Sequence, residues 1–153
     1  MSHIKIRSGG WEYTLKKTIC LVLCFILVAC NNLYDEEERR GEIVDVHGNI
    51  TNAERLDEFL SHINSGVEDR IRITTYTIEG DPINYDFTFD GQYVKYKYDN
   101  SRDKFGIKNV RSTTCMKMSK LTSHTMVEYK LDECFGENKE IGEQFSFVLN
   151  LDR

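Results

Sequence analysis

Three histidines, His47, His62 and His124, lie beyond the first 29 residues of this 153-residue chain and are its candidate general bases. Hydrolysis by a side-chain nucleophile needs such a base within hydrogen-bond reach and a third group to orient it. None of the three stands in a recognisable pattern with a serine, threonine or cysteine. His47, in Asp45-Val46-His47-Gly48-Asn49, is the strongest of them because it precedes a glycine at the end of an element. With Asp45 or Asp81 it would make a hydrolase; a plain loop histidine is the simpler reading. No two histidines share helical or strand spacing, which argues against zinc. Asp99-Asn100-Ser101-Arg102-Asp103 sets oxygens at alternate positions, as a calcium loop does. Yet Lys104 stands where the sharp turn wants glycine and Val110 where a bidentate glutamate belongs. The simpler reading is a solvated turn in which Asp99 and Asp103 pair with Arg102 or Lys104. No catalytic residue, metal or cofactor is expected on these grounds.

The cysteines carry a clearer message. From Thr18 to Ala29 the chain is uncharged and almost wholly apolar, after a segment bearing Lys5, Arg7, Lys16 and Lys17 against Glu12. An apolar run of about 12 residues is short of the roughly 20 that cross a bilayer but suits the core of a signal peptide. It ends in Leu27-Val28-Ala29-Cys30, which resembles the lipobox of bacterial lipoproteins. The resemblance implies cleavage before Cys30 and a diacylglyceryl group on that thiol, and two acyl chains suffice for stable anchoring. Residues 1–29 are therefore expected to be a lipoprotein signal peptide. Residues 30–41 follow as a lipidated cysteine and acidic tether through Asp35-Glu36-Glu37-Glu38, and 42–153 form one extracytoplasmic domain at the cell membrane. Initiation at Leu15 would shorten the leader to an ordinary basic segment.

Cys20 and Cys24 leave with such a leader, which isolates Cys115 and Cys134 in an oxidising compartment. They are expected to form one disulfide, worth roughly 3 kcal/mol for a loop of about 20 residues; two separate buried thiols are the alternative. Charge bounds the partners. The whole chain carries a net −5, and the leader takes a surplus of three positive charges with it, leaving the remainder at −8. Nucleic-acid binding needs a basic footprint, so that class is set aside.

The elements that would position these residues begin with a short strand, Glu42 to His47. A helix follows: Thr51 and Glu54 match a capping box, and Leu56, Phe59, Leu60 and Ile63 form one apolar stripe before Gly66. His62 falls outside that stripe and reads as solvated. Beyond it the pattern is strand. Ile71 to Ile78 is followed by the turn Glu79-Gly80-Asp81-Pro82. Ile83, Tyr85, Phe87 and Phe89 then lead into Asp90-Gly91, a preferred two-residue hairpin turn. Pairing across it sets Phe87 opposite Val94, Tyr85 opposite Tyr96 and Asp86 opposite Lys95. Tyr96 and Tyr98 then face the core, with Tyr93, Lys95 and Lys97 outward. Strands around Val110–Met118 and Met126–Asp132 register with Cys115 opposite Cys134, Lys117 opposite Asp132 and Met118 opposite Leu131. A last strand alternates through Phe145, Phe147, Leu149 and Leu151. The expected class is α+β, one amphipathic helix on a mainly antiparallel sheet of five to six strands, with cystatin-like folds as the nearest analogy of shape.

Three stretches, Gly48 to Asn52, Ile71 to Ile83 and Tyr98 to Gly106, resemble small uncharacterised lipoproteins of Gram-positive, bacillus-type bacteria that carry a domain of unknown function. The similarity runs from about Val44 to Cys134. It implies surface anchoring and transfers no catalytic residue. The resulting expectation is a non-enzymatic binding module, held to membrane lipid through Cys30, that takes a protein or envelope partner. Its contacts are expected on the loops bearing Glu79, Asp81 and Pro82 and Asp99, Arg102 and Asp103, since binding residues concentrate on loops carried by a rigid scaffold.

Overall fold

The computed structural model describes residues 41–151. The expected leader, Cys30 and the tether as far as residue 40 lie outside them. Eight strands form one sheet: β1 (Ile43–Val46), β2 (Asn49–Thr51), β3 (Asp69–Tyr76), β4 (Pro82–Phe89), β5 (Val94–Asp99), β6 (Val110–Thr122), β7 (Met126–Phe135) and β8 (Ser146–Asn150). Their spatial order is β2-β1-β3-β4-β5-β6-β7-β8. Neighbours are antiparallel except β1 and β3, which pair in parallel with Ile43 opposite Ile73. Parallel neighbours need a crossover connection. Here β2 and α1 (Glu54–Ser65) supply it. A second helix, α2 (Lys139–Glu143), precedes β8.

This corrects the expected fold class. Among the described residues the sheet has eight strands rather than five or six, is nearly closed like a barrel, and carries two short helices instead of one helix on an open face. Two contacts show the curl. α1 packs on β3 and also on β6, three places away in the sheet. Phe145, leading into β8, meets the rings of Tyr85, Phe87 and Tyr96 on β4 and β5 at 6.1, 4.9 and 5.4 Å. Fully buried Phe59 of α1 meets Phe87 edge-on at 6.3 Å, so one aromatic cluster ties helix, sheet centre and last strand together.

The missed elements are short. β2 has three residues and is reached through a turn with both His47 and Gly48 at positive φ, 54° and 86°. That is the primed geometry whose twist suits a two-residue hairpin, but a histidine in it gives no warning. α2 has five residues, too few for a helical period to register. The capping box fails too. Thr51 belongs to β2, Ala53 caps α1 without a side-chain hydrogen bond, and the buried Thr51 hydroxyl has no partner. Gly66 does end the helix, in the left-handed region at φ 70°, donating to His62 and Ile63 carbonyls.

One hairpin has the register that its side-chain pairs predict and the other does not. β6 and β7 pair with Cys115 opposite Cys134, Lys117 opposite Asp132 and Met118 opposite Leu131, as expected, and the disulfide is present with its Cα atoms 3.9 Å apart. β4 and β5 are shifted by two residues from the expected pairing: Phe87 faces Tyr96, Tyr85 faces Tyr98 and Asp86 faces Lys97. The connection is a four-residue loop, Asp90 to Tyr93. In it Asp90 Oδ1 accepts the Gln92 and Tyr93 N–H groups at 3.1 and 2.9 Å, and Asp90 N–H donates to the Tyr93 carbonyl. A shift of two leaves every side chain on its own face, so the hydrophobic pattern alone cannot distinguish the registers.

Candidate functional site

The loops singled out in the sequence meet at one end of the sheet. β1 and β3 both run toward it, which puts the His47-Gly48 turn beside the 77–81 turn, and the 99–109 loop joins β5 to β6 at the same end. Asp81 joins two of the three. Its side chain is almost wholly buried, Oδ2 accepts the Lys104 N–H at 2.9 Å, and Oδ1 pairs with Lys104 Nζ at 2.9 Å. The backbone bond from Lys104, then its ammonium, and more weakly the charge of Lys108 hold the Asp81 carboxyl below the usual carboxylate range. The turn around Asp81 is closed locally as well, by Thr77 N–H to the Asp81 carbonyl and Asp81 N–H to Thr77 Oγ1. Pro82 opens β4, buried and paired with Tyr76, where its missing N–H is tolerated.

The Asp99–Asp103 segment is organised differently from the expected turn. Asp99 accepts from the Ser101 hydroxyl and N–H and pairs with Lys97, which together hold it at a pKa of about 2. Asp103 Oδ1 accepts the N–H groups of Phe105 and Gly106 at 2.9 and 2.8 Å. A Cβ on Gly106 would come within 2.2 Å of that carboxylate, which accounts for the glycine. Neither aspartate pairs with Arg102 or Lys104, because Lys104 is committed to Asp81. The residue that braces the loop is one the sequence did not reveal: buried Asn100 donates through Nδ2 to the Ile107 carbonyl and accepts the Asn109 N–H on Oδ1. In a polar run nothing marks which asparagine turns inward.

The braced loops carry three large apolar side chains turned outward: Ile78 is 89% exposed, Phe105 75% and Ile107 90%. Arg102 and Lys108 are exposed beside them, as is Glu79. Local sequence does not mark Phe105 or Ile107 as turned outward, because their exposure depends on what packs above them.

The hydrolase constellation is not assembled. Asp45 Oδ1 accepts the Gly48 N–H at 2.6 Å, both oxygens of Asp81 are held by Lys104, and His47 is an exposed turn residue. His62 is not simply solvated: its Nδ1 lies 2.8 Å from Asp69 Oδ2, and Arg55 contacts the same carboxylate at 3.1 Å. Burial opposes ionisation of Asp69, but the bonds from His62, the Arg70 N–H and Arg55 outweigh it and lower its pKa. These contacts fasten α1 to β3. Lys120 and the Tyr129 hydroxyl, both on Asp57 Oδ1, fasten it to β6 and β7. Tyr96 is buried, and Tyr98 lies half-buried beside it; Tyr93 sits against Phe135 at 5.4 Å.

A family profile described as Domain of unknown function (DUF4362) matches residues 40–130, well over half of the chain. The chain belongs to the DUF4362 family. The DUF4362 match takes in α1 and all three loops of the site and ends within β7, before Cys134, α2 and β8. Neither the curated proteins nor the solved structures yield a match.

Proposed function

We propose that this chain is a bacterial lipoprotein, anchored outside the membrane through diacylglyceryl-Cys30, whose DUF4362 domain is a non-enzymatic interaction module binding a protein or envelope component at its 77–81 and 99–109 loops. The observation that carries the binding part is the exposure of Ile78, Phe105 and Ile107 on two loops braced by buried Asp81 and Asn100. Single exposed apolar residues are ordinary on protein surfaces, but a group of them on rigid loops marks an interaction surface. The anchor is supported by the basic-then-apolar N-terminus ending in Leu27-Val28-Ala29-Cys30.

One experiment addresses both parts. Photo-crosslinking in cells, from a probe at Glu79, is expected to yield a discrete adduct in the membrane fraction. The triple change Ile78→Ser, Phe105→Ser and Ile107→Ser should abolish the adduct while leaving the thermal midpoint within a few degrees, and Cys30→Ser should release the protein from the membrane. An adduct unchanged by the triple substitution would reject the loop surface. Unchanged fractionation of the Cys30→Ser protein would reject the anchor.

A further inference from the structure

A second feature at the same end of the sheet lies inside the barrel mouth rather than on the loop tips. It is a cleft of about 460 Å³ between the ends of β1 and β3 on one side and β8 on the other. Four rings line it: Tyr85 and Tyr98, half-buried and able to face a ligand, and Tyr96 and Phe145, which are buried. The rings are held in place by one another, Tyr85 against Tyr98 at 5.6 Å and Tyr96 against Phe145 at 5.4 Å, so the surface is preformed. Volume, aromatic lining and position at a barrel mouth are those of a small-molecule site.

Two polar groups give the cleft a direction. Arg111 is directly opposite Tyr98 across β5 and β6 and lines the cleft. One end of its guanidinium reaches Glu140 at 3.3 Å, while its Nε is buried and has no hydrogen-bond partner. The side chain as a whole stays 37% exposed, so the part of the guanidinium that Glu140 does not hold is open to a carboxylate or phosphate. Asp45 also lines the cleft. One of its oxygens holds the Gly48 N–H, and the other is available to accept from a hydroxyl. Burial raises the pKa of Tyr96 and Tyr98 while the Arg111 charge works against the rise, which agrees with a cation close to both rings.

We infer that this cleft binds an acidic sugar, with Arg111 gripping its carboxylate or phosphate, the tyrosine wall covering a face of the ring and Asp45 accepting a hydroxyl. A purely aromatic anion would leave the second Asp45 oxygen without a role, and a neutral sugar would leave the Arg111 charge answered only by half-exposed Glu140. The site is separate from the loop tips and stands whether or not they take a partner. A free sugar phosphate and the acidic residue of an envelope glycan present the same chemistry, and the test distinguishes them.

The test is calorimetric titration of the full chain in detergent micelles with glucuronate, glucose 1-phosphate and glucose. Both acidic sugars are expected to bind at least about tenfold more tightly than glucose, the scale of one charge-assisted pair. Arg111→Gln should remove that preference and Arg111→Lys should restore only part of it. Tyr98→Leu should weaken all three sugars, and the loop triple of Ile78, Phe105 and Ile107 should change nothing. Tighter binding of a glucuronate-terminated oligosaccharide than of glucuronate assigns an envelope glycan; equal binding assigns the free sugar. Equal affinity for glucose and glucuronate in the unaltered protein, no saturable binding of any of the three, or a preference that survives Arg111→Gln overturns the site.

Discussion

A carboxylate surrounded by donors is held ionised, and that gives it leverage on stability. Asp99, bonded to the Ser101 hydroxyl and N–H and to Lys97, and Asp90, bonded to Lys95 and the Tyr93 and Gln92 N–H groups, both titrate at about 2 against an ordinary value of 3.8. The folded state therefore resists protonation more than the unfolded chain does. The stability these groups contribute is present above about pH 4 and is lost as the pH falls through about 2. Thermal unfolding followed against pH should give a midpoint that drops across that window. Asp99→Asn should lower the midpoint at neutral pH and flatten the drop, and an unchanged slope would show that Asp99 is not held as described. Asp81, lowered in the same direction by Lys104, ties the effect to the candidate loop surface.

At the scale of elements, β6, β7 and α2 meet closely around the disulfide. Gly142 of α2 lies on the disulfide, where an added Cβ would approach Cys134 Sγ to 2.5 Å and Cys115 Sγ and Thr113 Cγ2 to 2.9 Å each. Two sulfur atoms locked in a bridge between strands cannot give way as the end of a flexible chain would. Gly142→Ala is therefore expected to cost about 1–3 kcal/mol, the usual range for overpacking, read as a lower denaturation midpoint in urea. If the bridge supplies the obstruction, the cost should shrink in the Cys115→Ala, Cys134→Ala background, where the crowding atoms are gone.

The whole molecule depends on closure. A sheet of eight strands that curls until its last strand approaches its first needs a filling, and Phe59, Phe87, Tyr96 and Phe145 provide it from a helix, two central strands and the lead into β8. Removing the ring that enters from the helix should loosen all of these together. Phe59→Ala is expected to cost about 3–5 kcal/mol in equilibrium unfolding and to raise amide exchange in β3 and β6, the strands on which α1 rests. Exchange confined to α1 would mean that the helix is a lid on an independently stable sheet.

Whatever rested on alternation along a strand or on the apolar stripe of the helix was settled locally. The strands from β3 onward, the α1 stripe ending at Gly66, and the β6–β7 register with its Cys115–Cys134 bridge follow from side chains that must share a face or meet across a strand. Closure was beyond that reach, because a period-two pattern describes one face of a strand and is silent on how far the sheet bends. So was the β4–β5 register, since the two-residue and four-residue loops bury the same side chains. That Glu79 to Pro82 and Asp99 to Lys104 are connections between strands is legible in the sequence, since turn residues are a local signal. Their union through Asp81 and Lys104, the outward turn of Ile78, Phe105 and Ile107, and the pairing of the Tyr98 wall with Arg111 exist only once distant segments are packed together, because a side chain's partners and exposure are properties of what surrounds it in space.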